Sequence, residues 1–136
     1  MSYAISSALQ GAIYAALTAD DDLFSLVGDA IYDALPVGTI PELYVALGPE
    51  QVKIADDKTG TGAEHRLTVS VVTEAPGFAS AKTVAGQICD VLHEAPLALA
   101  RGRLVSLRFV SARAAKVDGG ADRSIDLIFR ARVEDD

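Results

Sequence analysis

The stretch RLVSLRFVSARAAKVDGGADRSIDLIFRARVE, residues 103–134, decides the fold. Its first half sets Val105, Leu107 and Phe109 on one side and Arg108 on the other. Its second half sets Ile125, Leu127, Phe129 and Val133 against Asp126, Arg130 and Arg132. A two-residue period of this kind sends side chains to alternate faces of a strand. Asp118-Gly119-Gly120 lies between the halves and is a turn type that reverses an antiparallel pair. The stretch therefore reads as a long hairpin with one buried face and one polar face.

Working back toward the N-terminus, FASAKTVAGQICDVLH changes the period from two to about 3.6. Ala81, Val84, Ala85, Ile88 and Leu92 form one helical stripe that ends near Pro96. HRLTVSVVT alternates again, with Leu67, Val69 and Val71 on one side. Pro36 and Pro41 exclude a helix across AIYDALPVGTIPELYVALG and leave short strands at Ile31-Tyr32 and Leu43 to Leu47, where Leu43, Val45 and Leu47 share a face. The opening segment carries Ile5, Leu9, Ala12, Ile13, Ala16 and Leu17 at spacings of three and four, which makes an amphipathic helix. Asp20, Asp21 and Asp22 suit the start of a further turn, which Gly28 is placed to stop. The predicted architecture is α+β: an antiparallel sheet of four to five strands with two α-helices packed on one face. Residues 1–136 read as a single domain with no internal repeat.

Half of the 136 residues are apolar and 23% are charged, a globular composition. Residues 1–17 show neither a secretory leader nor an apolar span, so no membrane role is expected. The single cysteine, Cys89, can form no internal disulfide, which fits a reducing compartment. The net charge of −7 argues against bulk affinity for nucleic acid. Charge is unevenly spread: residues 1–57 hold nine Asp or Glu and one Lys, whereas residues 101–132 hold eight of the twelve basic residues. Such polarity suits oriented contact with neighbours.

Chemistry is hard to find. DDKTGTGAEH, residues 56–65, contains Lys-Thr-Gly, but Lys58 precedes its glycines and a strand follows, so it is no phosphate loop. The β-lactamase mechanism that uses such a tripeptide also needs Ser-x-x-Lys, which the chain lacks. Cys89 and His93 lie four apart on one helix, yet Cys89 borders the apolar stripe and reads as packing, with His93 close to the last carbonyls. His65, His93 and Cys89 give no zinc spacing, and Asp20 to Asp22 lacks the pattern of a calcium loop and reads as a helix cap. Arg101, Arg103, Arg108, Arg113, Arg123, Arg130 and Arg132 could line one face, but Phe109 and Phe129 lie on the apolar side and cannot stack bases there. No catalytic residue, cofactor site or metal site is expected.

The order of motifs resembles the small tail-completion, or tail terminator, proteins of long-tailed phages and phage-like gene transfer agents. The resemblance runs from LTADDDLFSLVG through IYDALP, PELYVALG, RLTVSVVT and GFASAKTVAGQICDVLH to the closing hairpin. SVVTEAPG departs from it in lacking an aromatic at the strand end. The resemblance implies a structural virion protein and not an enzyme. It implies a homo-oligomer, typically a hexameric ring, that caps the tail tube, ends its polymerisation and meets the head-side connector. DNA would pass through the ring without sequence-specific binding. The implied location is the neck end of a virion tail assembled in the bacterial cytoplasm. The competing reading is a small ligand-binding or regulatory α+β domain with the 56–65 loop as a lid. Interface candidates are Asp57, Lys58, Thr59 and Thr61 from a flexible loop of about residues 50–63, Glu64 just after it, and Arg108, Arg113, Arg130 and Arg132 from the hairpin. Residues 57–63 are expected to be poorly ordered in the free subunit and to touch a neighbour after assembly.

Overall fold

A computed structural model describes residues 3–54, 62–117 and 120–135. Three helices, α1 (Ser6–Ala19), α2 (Asp21–Val27) and α3 (Ala79–Leu92), accompany five strands. The strands are β1 (Ile31–Tyr32), β2 (Leu43–Ile54), β3 (Gly62–Thr73), β4 (Arg103–Lys116) and β5 (Arg123–Glu134). They form one sheet in the order β1-β2-β3-β5-β4. The fold is α+β as expected, with two additions. The 20–27 segment is a helix in its own right, and β1 runs parallel to β2 while every other pair is antiparallel.

The helices share one face of the sheet. Leu9, Ile13 and Leu17 of α1, Leu23 of α2 and the whole predicted stripe of α3 join one core with Val45, Leu67, Val69, Val71, Leu107, Ile125, Leu127, Phe129 and Val133. Asp20 caps α2 by accepting the Leu23 N–H at 2.9 Å, and Gly28 ends it at a φ of 63°. Gly102 (φ 69°) is held to glycine twice over, because a Cβ there would meet the Glu134 carbonyl at 2.6 Å and Ile5 Cδ1 at 2.7 Å. No helix among the described residues is long and apolar enough to cross a membrane.

Three bulges shape the sheet. One lies between Leu47 and Glu50 in β2, at Gly48-Pro49; the others lie between Leu104 and Ser106 and between Phe109 and Ser111 in β4. A bulge inserts one residue and so reverses which face later side chains take. Val105, expected beside Leu107 on the apolar face, therefore occupies a bulge and is 48% exposed. Phe109 stays on the core face, edge-on to Phe129 with ring centroids 5.9 Å apart.

The loop bounds also change. Val52 pairs with His65 and Ile54 with Ala63, so 51–54 and 62–63 are paired strand and not loop, and Ala63 is fully buried. The remaining loop candidates, Asp57, Lys58, Thr59 and Thr61, lie outside the described residues.

Candidate assembly surface

The sheet face away from the helices is polar, and strand register decides what it presents. Arg66 of β3 stands opposite Arg130 of β5, which stands opposite Arg108 of β4. In the next row Lys53 faces Glu64, Glu64 faces Arg132 and Arg132 faces Ser106. Two adjacent rows thus carry five cations (Lys53, Arg66, Arg108, Arg130, Arg132) against one carboxylate, Glu64.

Three of the predicted interface residues, Arg108, Arg130 and Arg132, meet here with Glu64. Glu64 Oε1 lies 3.6 Å from Arg130 Nε, and Glu94 Oε1 approaches Arg108 to 4.0 Å. The Arg132 guanidinium passes over Gly62, where a Cβ would come within 2.6 Å of it. Arg113 is set apart, opposite Asp126, whose carboxylate accepts the Ser70 hydroxyl at 2.6 Å. The predicted arginines do not all share this face. Arg101 lies before β4 and pairs with Asp135 at 2.8 Å; Arg103, opposite Glu134 in the row beyond Arg132, keeps to this face but is ion-paired there with Glu134. Arg123 donates to the Ala75 carbonyl at 3.2 Å and lies over the Phe78 ring.

Sequence reasoning missed Arg66 because its neighbours belong to a different segment of the chain. Alternation in HRLTVSVVT does place it opposite Leu67, on the polar side; only register brings it beside Arg130.

A second surface is acidic and apolar. Asp21, Asp22, Phe24 and Leu26 of α2 are exposed, Phe24 by 59%, and Leu35 and Val37 are exposed in the 33–42 link. Isolated apolar residues need no special reason on a surface, but helix spacings of three and four set Phe24 beside Asp21 and Leu26 beside Asp22.

The catalytic candidates separate. Cys89 is half-buried against the core, and burial, followed by the neighbouring Asp90 charge, raises its thiol pKa and disfavours the nucleophilic thiolate. His93 turns to the sheet and not to the helix carbonyls: its Nδ1 accepts the Phe109 N–H at 3.1 Å. Among the described residues no group of three or more His, Cys, Asp or Glu is placed to hold a metal. Two open grooves of about 530 Å³ each run along α1, lined by residues such as Tyr3, Gln10 and Tyr14 or Ala4, Ala8 and Ala98. His65 and Glu50, which sequence reasoning assigned no function, meet beneath α1 with Nδ1 3.5 Å from Oε2.

Comparison with known proteins places the chain in a family. No curated protein matches the chain. Among solved structures, a chain in the virion of a native gene transfer agent (GTA) particle is 53% identical, and the match covers 98% of this chain and 99% of that one with a TM-score of 0.93. The model of the family described as tail completion protein gp17 matches residues 11–134. Because that match takes in all five strands and nearly all of the helical layer, the chain belongs to the tail completion protein gp17 family.

Proposed function

We propose that this chain is the terminator subunit of a phage-like tail. Copies of it close into a hexameric ring on the last ring of the tail tube, end tube polymerisation and present a surface to the head-side connector. The ring leaves a channel for DNA. Family membership makes the chain a structural tail protein. The observation that carries the finer reading is its likeness, at 53% identity across nearly the full length of both chains, to a chain of an assembled gene transfer agent virion.

The surfaces support it. A ring built head to tail needs two unlike, complementary patches on each subunit. The arginine rows and the acidic α2 flank are two such patches. Acidic residues turned to a channel would repel DNA phosphates and reduce sticking during passage. The role is structural and not catalytic, and it takes place at the neck end of the particle.

Deleting the gene should give tails of uncontrolled length or heads without tails, counted by negative-stain microscopy. Normal particles from the deletion would overturn the reading. The ligand-binding alternative finds less support, because the grooves are wide open and Glu50 spends its hydrogen-bonding capacity on Ser6, Tyr3 and His65.

A further inference from the structure

Like charges set directly opposite each other destabilise a sheet. This sheet nevertheless lines up Arg66, Arg130 and Arg108. Its own carboxylates do little to offset that. Glu64 and Glu94 make long pairs with Arg130 and Arg108, the first half-exposed and the second exposed, of the kind worth little in water. Among the described residues no ion pair reaches Arg66. The local cost of the row makes sense once an anionic surface covers it.

We propose that the arginine row seats the α2 flank of a second copy of this chain. The inference rests on the ring reading and names the two patches that would join its subunits. The flank presents Asp21 and Asp22 beside exposed Phe24 and Leu26. Its carboxylates match the arginines, while Ile128, half-buried next to the row opposite Thr68, gives Phe24 an apolar seat. The two patches cannot meet within one subunit. Leu23 anchors α2 in the core on the helical side, whereas the arginines project from the opposite face of the sheet. Contact between unlike patches on identical copies is heterologous, and it closes to a ring when the rotation per copy allows. Guanidinium groups suit this seat because their planar fork binds carboxylates bidentately.

A charge swap tests the contact in both the purified chain and assembled particles. R66E/R130E and D21R/D22R should each weaken self-association at least tenfold by sedimentation at low salt, with the fold checked by circular dichroism. Combining all four changes should recover association, a rescue that a merely unfolded variant cannot show. In particles carrying C89S, Arg66→Cys with Asp22→Cys should cross-link into multiples of this chain. The docking is overturned, and the ring left standing, if the reversed variants keep the ring mass. Cross-linking of position 66 to tube protein or DNA in place of a second copy would overturn it likewise. Particles holding a single copy of the chain would overturn the ring reading itself.

Discussion

Glu50 is a carboxylate on the core face of a sheet, and that position has consequences for stability. It accepts the hydroxyls of Ser6 and Tyr3 and lies 3.5 Å from His65 Nδ1, while His65 is fully buried. Burial alone would raise its pKa; the hydrogen bonds from Ser6, Tyr3 and His65, with the His65 charge, outweigh burial and leave it below 4.5. A carboxylate with a lowered folded pKa contributes stability above its unfolded value and loses it as pH falls through the folded one. Wild type should therefore lose melting temperature more steeply than Glu50→Gln as pH drops below about 4.5, read by calorimetry. Equal slopes would show that the charge on Glu50 does not matter. None of this was legible in the residues, because alternation from Leu47 puts Glu50 on the polar side until the Gly48-Pro49 bulge reverses it. Gly48-Pro49 inside a strand was the available hint.

At the level of elements, legibility followed locality. The α3 stripe, the faces of β3 and β5 and the cap of α2 were all readable, since each depends on residues within one or two turns or a few pleats. Asp20 does more than cap: its Oδ2 also accepts Gln87 Nε2 at 2.9 Å, tying α2 to α3. Asp20→Ala should cost roughly 1 kcal/mol or somewhat more, as a lowered urea midpoint at unchanged slope, and Asp20→Asn should keep most of it. A change below a few tenths would show the cap to be idle. β4 was misread in part because its bulges sit at Val105 and Val110, good strand formers with no glycine or proline to mark a break. The candidate site was half legible for the same reason. Arg108, Arg130 and Arg132 belong to one hairpin, while Arg66 joins them through a pairing across some sixty residues of chain.

For the whole molecule, strand order and the parallel β1–β2 pair depend on long-range pairing that no short pattern encodes. The same order leaves β4 as an outer strand. Part of its rim is closed, since Glu94, at a φ of 58°, donates its N–H to the Leu107 carbonyl at 2.7 Å and His93 covers Phe109. Beyond Phe109 the rim from Ser111 to Lys116 meets no other strand of this sheet. Such a rim is a template for any passing chain, and twist from the bulges together with charges at Arg113 and Lys116 keeps strangers off. R113V/K116V should turn a clear stock solution cloudy while wild type at the same concentration stays clear, followed by light scatter at about 350 nm. As the proposed terminator, the chain would be made before the tails that take it up are finished. The irregularities of β4 thus set how long an unused subunit can wait in the pool without being lost to clumping.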